Sequence, residues 1–400
     1  MTHSTSRRTV LKGLGAGAAL ATFPAPFVHA QGEPIRLGTL TPLTGSGGNY
    51  GPTMRDAVAA VVEQVNAAGG VRGRRITLIS EDDQTNPEAA VRAAHKLIDV
   101  DKVSAIIGTW ASSVTTAVAP VCWESKTFLC TVSGADSITL LPHQGYLIRT
   151  QPNTELQGRK FGEYALEVGA KNVYTLMPQT PFTQSLSDNL GKTLAAKGGK
   201  HALEIYDAKK TSYRSEVDQA LRQQPDMLFL GGYSADTAVL LRDVYRAGFK
   251  GKMMAPTYAV DGKLLESVPA EATEGIYALG PSPAVEASAY KAIAALLKKD
   301  TLDPYSAQTY DHINLVLLAI AKAGEASGTA IKDNVRKISQ GNGTPVDNAL
   351  AGLKLIAEGK DVNYEGASGP CDFDAKGDIL TVKFKYEQVK GGKLNFIKIA

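Results

Sequence analysis

The residues with the clearest chemical potential lie between an apolar run and a helical pattern in the first third of the chain. Residues 103–108 (VSAIIG) predict a buried parallel strand, and residues 114–123 predict an amphipathic helix. The turn between them contains Ser112 and Ser113, where the first backbone N–H groups of a helix lack acceptors and the helix dipole is positive. Such a turn binds a small anionic or polar group. The alternative is that Ser112 or Ser113 only caps the helix.

The first thirty residues have the order of an export signal. Arg7 and Arg8 form a twin-arginine pattern, a Gly/Ala-rich apolar stretch covers residues 13–28, and small residues ending at Ala30 form a cleavage site. We therefore predict a twin-arginine signal peptide over residues 1–30, which the twin-arginine export machinery recognises. No later stretch is apolar over the ~18 to 20 residues that a membrane span needs. A soluble, periplasmic protein is expected after cleavage.

Composition limits the classes of protein that this chain can belong to. The 43 Lys and Arg residues nearly balance the 40 Asp and Glu residues, and the net charge of +3 forms no patch for nucleic acid or a membrane surface. A disulfide between Cys122 and Cys130 is one alternative that the sequence does not decide. None of the three cysteines has the paired spacing of a metal site. No cofactor motif is present, so we expect no metal and no cofactor.

The sequence also lacks recognisable catalytic machinery. The glycine-rich segment 45–48 lacks the Lys-Ser/Thr of a phosphate loop, and the sequence contains neither a zinc-peptidase His-Glu pattern nor a Gly-x-Ser-x-Gly elbow. Asp82 and Asp83 are neighbours on a predicted strand and therefore face opposite ways. One of them is expected to brace the next turn. We expect no catalytic residue and no enzymatic activity.

Strand and helix patterns alternate along most of the chain. The alternation begins at Ile35 and restarts near Thr154, a helical block follows residues 280–283, and two strand-like segments, 379–387 and 394–399, close the chain. Alternating order of this kind predicts parallel sheets with helices on both faces. Two runs of similar length indicate two lobes, each with its own sheet.

Six stretches carry a resemblance to a known family: residues 35–45, 66–73, 81–83, 103–110, 229–233 and 369–378. In this order along the chain they resemble the periplasmic solute-binding proteins of ABC importers, in the family that includes the leucine/isoleucine/valine-binding protein. The resemblance implies an α/β fold of two doubly wound parallel-sheet lobes, joined by three crossovers that act as a hinge. The implied lobes are residues 33–150 plus 281–384 and residues 151–280 plus 385–400. The resemblance also implies a small-molecule ligand and ABC permease subunits in the inner membrane as partners, and a monomer is expected.

The same resemblance assigns ligand contacts to individual positions. The serine that binds the ligand carboxylate falls on Ser112, and a backbone donor falls near Gly134 and Ala135. The aromatic residue before the first long helix falls on Tyr50, and the aromatic residue of the second lobe falls on Tyr233. The candidate ligand-binding residues together are Tyr50, Trp110, Ser112, Ser113, Gly134, Ala135, Asp136, Phe182, Tyr233, Thr257 and Tyr258.

Two departures from the family pattern bear on the ligand. The glutamate that pairs with the ammonium of amino acids is missing, because Thr257 and Tyr258 follow the strand-end proline, and the assisting tyrosine is replaced by Phe182. Asp136 stands where a threonine is frequent. A buried unpaired charge costs several kcal/mol, so Asp136 must point away, be protonated, or meet a cation or hydroxyl of the ligand. We expect a small amino acid or organic acid as ligand. An aromatic acid or an amide is the alternative, and a periplasmic sensor is the alternative to a transport receptor.

Overall fold

The computed structural model describes residues 32–400, so the predicted signal peptide lies outside the described residues. The strands in this range are β1 (Ile35–Thr41), β2 (Ile76–Asp82), β3 (Ala105–Gly108), β4 (Phe128–Thr131), β5 (Leu147–Arg149), β6 (Asn172–Pro178), β7 (Lys200–Tyr206), β8 (Met227–Leu230), β9 (Lys252–Pro256), β10 (Tyr277–Ser282), β11 (Thr344–Val346), β12 (Val362–Tyr364), β13 (Lys383–Lys390) and β14 (Lys393–Ile399).

The helices alternate with these strands in the first two thirds of the chain and then form a block. They are α1 (Gly51–Ala67), α2 (Pro87–His95), α3 (Ser112–Glu124), α4 (Thr154–Glu167), α5 (Pro181–Ala195), α6 (Arg214–Arg222), α7 (Ser234–Arg246), α8 (Gly262–Ser267), α9 (Ala270–Thr273), α10 (Ser288–Leu296), α11 (Pro304–Ala323), α12 (Gly328–Asn334) and α13 (Ala349–Ala357). A π-helical turn, Lys96–Val100, extends α2, and a 3-10 turn covers Asp136–Leu140. No helix within residues 32–400 is long and apolar enough to cross a bilayer.

Two separate sheets define the architecture. The first has the order β2-β1-β3-β4-β5 and is parallel throughout. The second has the order β14-β13-β10-β9-β8-β6-β7, in which β6 to β10 run parallel and the hairpin β13-β14 adds to β10 in antiparallel orientation. Gly391 and Gly392, both with positive φ, make the hairpin turn. The structure therefore has the predicted α/β fold of two helix-covered lobes.

Each lobe is built around its own sheet. The first lobe contains β1–β5 with α1–α3 and α10–α13, and the second contains β6–β10, β13 and β14 with α4–α9. Successive residues of a strand point to opposite faces, so Ile107 packs with α1 and α11 whereas Ile106 packs with α2 and α3. Burial on both faces explains why the central strands β3 and β4 are short, largely apolar runs in the sequence.

The same alternation places Cys122 and Cys130 on opposite faces of the first sheet, so they do not form a disulfide. Cys130 in β4 faces the core beneath α1 and α11, while Cys122 in α3 belongs to the core on the other face of the sheet. All three cysteines of the chain lie in the described range, and each is buried and unpaired. Burial raises the pKa of the Cys122 thiol to about 12. These thiols are therefore packing residues.

Three chain segments connect the lobes. They run from β5 to α4, from β10 to α10, and from the Asp378 region to β13. The predicted strand 379–387 begins only at Lys383, because the backbone N–H of Ile379 bonds instead to the carbonyl of Arg149 in β5. β10 reaches Ser282, so the strands of the second sheet extend about two residues beyond the predicted lobe boundaries at 280 and 384.

Candidate functional site

A cavity lies between the two lobes. Its wall is formed by the ends of β3, β4 and β5 and the segments after them in the first lobe, by those of β6, β8 and β9 in the second, and by the first turn of α11. The carboxyl ends of parallel strands are where α/β sheets place their ligand sites. The lining residues are Trp110, Ala111, Ser112, Val132, Gly134, Gln151, Pro178, Thr180, Phe182, Thr183, Gly231, Tyr233, Tyr258 and Tyr305.

Aromatic rings from both lobes form one side of this cavity. Trp110 of the first lobe lies 5.5 Å from Tyr233 and 6.0 Å from Tyr258, measured between ring centroids, and both tyrosines belong to the second lobe. Tyr305 packs edge-on against Trp110 at 5.7 Å. Such rings offer a large apolar contact area to a ligand. Burial raises the pKa of Tyr233 to about 12, so its hydroxyl is a neutral donor at physiological pH.

The start of α3 supplies hydrogen-bond donors to the cavity. Neither the N-cap Ala111 nor another side chain caps this helix, and within residues 32–400 no group accepts from the backbone N–H of Ser112, Ser113 or Val114. The Ser112 hydroxyl oxygen accepts from the N–H of Ala135 at 3.1 Å, which leaves the hydroxyl proton free. This helix end therefore presents unpaired N–H groups and the positive end of a helix dipole, which together favour an anion.

Several acceptors on the wall are already engaged by protein donors. The carbonyl of Gly231 accepts from the Tyr258 hydroxyl at 3.0 Å, and the carbonyl of Pro178 accepts from the Thr183 hydroxyl at 2.5 Å. The lining residues include no Asp, Glu, Lys, Arg or His. No cluster of His, Cys, Asp or Glu in the described part of the chain has the geometry of a metal site. The cavity thus offers free donors and an apolar wall, but no carboxylate.

The structure brings six of the eleven predicted contacts to the cavity wall. They are Trp110, Ser112, Gly134, Phe182, Tyr233 and Tyr258. Gly134 lies where the lobes approach closely, since a Cβ there would be 2.8 Å from the Phe182 ring. The other five candidates, Tyr50, Ser113, Ala135, Asp136 and Thr257, are not on the wall.

Tyr50 lies behind Trp110 and joins the lobes. Its ring packs against Trp110 at 5.5 Å, and its hydroxyl donates to the carbonyl of Tyr258 at 3.1 Å. Nearby, Asn49 donates to the Asp261 carboxylate of the second lobe at 2.7 Å. These interlobe bonds show that the structure is a closed clamp.

The side chain of Asp136 points away from the cavity, which is one of the three arrangements expected from the sequence. One carboxylate oxygen accepts from the N–H of Glu155 at 2.9 Å, and the other accepts from the Asn189 amide at 2.6 Å. The carboxylate therefore lies at the N-terminus of α4, where the helix dipole favours it. Asp136 is therefore not part of the cavity wall.

Thr257 and Ala135 also face other groups. The Thr257 side chain packs against Gly280, since a Cβ on Gly280 would lie 2.1 Å from the Thr257 hydroxyl oxygen. The backbone N–H of Thr257 donates to the carbonyl of Leu279. The N–H of Ala135 is occupied by Ser112. Ser113 is half-buried in the first turn of α3, next to the lining residue Ser112.

The sequence analysis missed four polar or aromatic lining residues, Gln151, Thr180, Thr183 and Tyr305. Gln151 follows β5, a strand of three residues that is too short to produce a pattern. Tyr305 stands in the first turn of α11, which lies far along the chain from the other elements of the site. A signal for Gln151 was its position in the first predicted crossover.

Asp82 and Asp83 brace the loop after β2, as predicted for one of them. Asp82 accepts from the N–H of Thr44 and of Gln84, at 3.1 and 2.8 Å. Asp83 is fully buried, and it accepts from the N–H of Thr85 at 2.7 Å while its other oxygen has no partner in the described residues. Burial raises the pKa of Asp83 to about 7.

Replacing Asp83 by Asn is expected to increase the free energy of unfolding at pH 8 by a few kcal/mol and to change it much less at pH 5. A carboxyl whose folded pKa is about 7 and whose unfolded pKa is about 3.9 stabilises the fold fully below pH ~4 and loses that contribution as the pH rises through 7. Urea unfolding at the two pH values measures the effect. Asp82→Asn is the matched control and should give no gain at pH 8. An equal change at both pH values for Asp83→Asn would contradict the assignment.

Comparison with known proteins places the chain among binding proteins. Residues 34–392 match the family model described as periplasmic binding protein. The leucine-, isoleucine-, valine-, threonine- and alanine-binding protein of Pseudomonas aeruginosa is 25% identical over 382 residues, which cover 94% of each chain.

Solved structures share the fold. A leucine-binding protein from Thermotoga maritima superposes with a TM-score of 0.78 at 23% identity and covers 91% of this chain and 98% of its own. A solute-binding protein of an ABC transporter from Rhodopseudomonas palustris, in complex with benzoate, superposes with a TM-score of 0.74 at 19% identity, covering 92% and 96%.

Proposed function

This chain belongs to the periplasmic binding protein family, and we propose that it is the solute-binding component of an ABC importer of the branched-chain-amino-acid type. In this role the two lobes close on one small molecule, and the membrane subunits of the importer recognise the closed form. A ligand that binds the closed form better than the open form shifts the population towards closure. The chain performs no chemistry on its ligand.

The ligand class that the cavity fits best is a small organic acid with an apolar, ring-sized body. The observation that carries this choice is the combination of free donors with engaged acceptors. The unpaired N–H groups of Ser112, Ser113 and Val114 suit a carboxylate, and the aromatic wall suits an apolar body. The Rhodopseudomonas palustris neighbour is named as a complex with benzoate, so this fold accommodates an aromatic acid.

An amino acid fits this cavity less well. Its ammonium group would enter a closed space whose lining includes no carboxylate. Burying a charge without a partner costs several kcal/mol. This cost separates an organic acid from a branched-chain amino acid of the same size, although both carry the carboxylate.

The export route and the partners follow from the family and from the first thirty residues. We propose that the twin-arginine machinery exports the chain, that cleavage after Ala30 releases it into the periplasm, and that it works there as a monomer with permease subunits of the inner membrane. The order of Arg7 and Arg8, the apolar stretch and the small residues before Gln31 supports this route.

A ligand screen of purified residues 31–400 tests the proposed function. Benzoate, short-chain acids, benzamide and leucine are each titrated by calorimetry and compared in thermal unfolding. We expect an acid to bind at one molecule per chain and, at a hundredfold excess over its dissociation constant, to raise the free energy of unfolding by about 2.7 kcal/mol. Tighter binding of leucine than of every acid would overturn the ligand class. A protein that binds none of these probes would overturn the proposed function.

A further inference from the structure

Gln151 is a buried amide that lines the cavity on the first crossover between the lobes. On the premise of the proposed function, we infer that Gln151 is a specificity-determining donor to the ligand. We further infer that Gln308, which does not line the cavity, is a positioning residue that decides which end of the Gln151 amide faces the ligand. Together the two side chains make the polarity of the cavity depend on a residue in α11.

The two amides form a fixed chain of hydrogen bonds. Gln308 is buried in α11, and its Nε2 donates to the carbonyl of Thr150 at 3.3 Å and to Oε1 of Gln151 at 3.0 Å. The Thr150 hydroxyl in turn bonds to Nε2 of His312, at 2.8 Å, one turn further along α11. The crossover is thereby held against the helix at two successive residues.

The orientation of both amides follows from one acceptor. The nitrogen and oxygen of an amide are told apart only by their partners. The carbonyl of Thr150 can only accept, so Nε2 of Gln308 must face it. The atom of Gln151 that meets the same Nε2 must then be an acceptor, which is Oε1. Nε2 of Gln151 is left over, and within residues 32–400 it donates to no other group.

This arrangement persists although it leaves one atom unsatisfied. Oε1 of Gln308 is buried and has no partner in the described residues. The reverse orientation would place that oxygen against the Thr150 carbonyl, so two acceptors would face each other. The wall therefore gains an amide donor, beside the N–H groups of α3 and the hydroxyls of Ser112 and Tyr233. All of them match the acceptor oxygens of a carboxylate.

Variants at both positions test the inference with benzoate and benzylamine as probes. Gln151→Met keeps the size of the side chain and removes the donor, so the affinity for benzoate should fall by about tenfold or more, as expected for a hydrogen bond to a charged group. In Gln308→Glu the buried carboxyl is expected to be protonated, so its O–H donates to the carbonyl of Thr150 and a lone pair of the same oxygen accepts from Nε2 of Gln151. This turns Nε2 of Gln151 away from the cavity and brings Oε1 towards the ligand. Benzoate should then bind at least tenfold more weakly, and benzylamine should bind more tightly than to the wild type.

Gln308→Met is the matched control for this reversal. It removes the anchor of the Gln151 amide without reversing it, so benzoate should lose a few-fold in affinity and benzylamine should gain nothing. A merely structural role of Gln308 would weaken both probes alike in Gln308→Glu and in Gln308→Met. Thermal unfolding of each unliganded variant identifies losses that arise from the fold.

The outcomes separate the inference from the proposed function. If the wild type binds benzoate and Gln151→Met binds it equally well, the inference is overturned and the proposed function stands. If Gln308→Glu shows no gain for benzylamine relative to Gln308→Met, the positioning role is overturned. If the wild type binds neither benzoate nor any other acid of the screen, the proposed ligand class is overturned as well.

Discussion

Ser112→Asp is expected to reduce the affinity for carboxylate ligands by more than about a hundredfold while the protein stays folded. The new carboxylate would lie at the start of α3, where the ligand carboxylate is proposed to bind. Two like charges about 4 Å apart repel by about 4 kcal/mol at the effective dielectric constant of such sites. The fold tolerates the change because an acidic residue in the first turn of a helix interacts favourably with the helix dipole.

Calorimetric titration with benzoate measures this loss. Ser125→Asp is the matched control, since it makes the same substitution at the exposed C-terminal end of α3 and should leave the affinity unchanged. Ser112→Ala removes only the hydroxyl and should cost about tenfold. A Ser112→Asp variant that binds benzoate like the wild type would show that the ligand does not use this helix end.

Asp378→Asn is expected to lower the free energy of unfolding by about 3–5 kcal/mol. The guanidinium of Arg149 is fully buried, and Oδ1 of Asp378 is its ionic partner, 2.7 Å from Nε and 2.5 Å from Nη2. Burial lowers the pKa of Arg149, which the neighbouring Asp378 offsets. Removing one member of a buried pair leaves an uncompensated charge, and this is why the expected cost is large.

The same substitution is expected to weaken ligand binding. Nη1 of Arg149 donates to the carbonyl of Ala135 at 2.6 Å, and the N–H of Ala135 holds the Ser112 hydroxyl. Urea unfolding gives the stability and calorimetry gives the affinity. Glu358→Gln, which breaks an exposed ion pair with Lys360, is the control and should leave the free energy of unfolding nearly unchanged. A comparable small change in Asp378→Asn would contradict the role of the buried pair.

The sequence predicted those parts of the fold that depend on local pattern. The apolar run 103–108 became β3, and the helix after it starts at Ser112, two residues earlier than the apolar spacing indicated. That difference arises because the polar first turn of α3 carries no apolar periodicity. β5 has three residues, and β10 contains a Gly-Pro pair that is typical of a turn, so neither was predicted.

The candidate site was predictable where the backbone alone determines position. Ser112 and Gly134 each follow a parallel strand of the first sheet, and such positions converge at the carboxyl edge of the sheet. The direction of a side chain depends on partners that are distant in sequence. Asp136 turns to Asn189, and Gln151 is oriented by Gln308, 157 residues away. No local pattern contains that information.

A crystal structure of residues 31–400 grown with benzoate decides whether a carboxylate binds at the start of α3 inside the closed cleft. We expect the benzoate carboxylate to accept hydrogen bonds from the N–H groups at Ser112–Val114 and from Nε2 of Gln151, with the ring against Trp110 and Tyr258. Benzoate bound outside the cleft, or a carboxylate that points away from α3, would refute this binding mode.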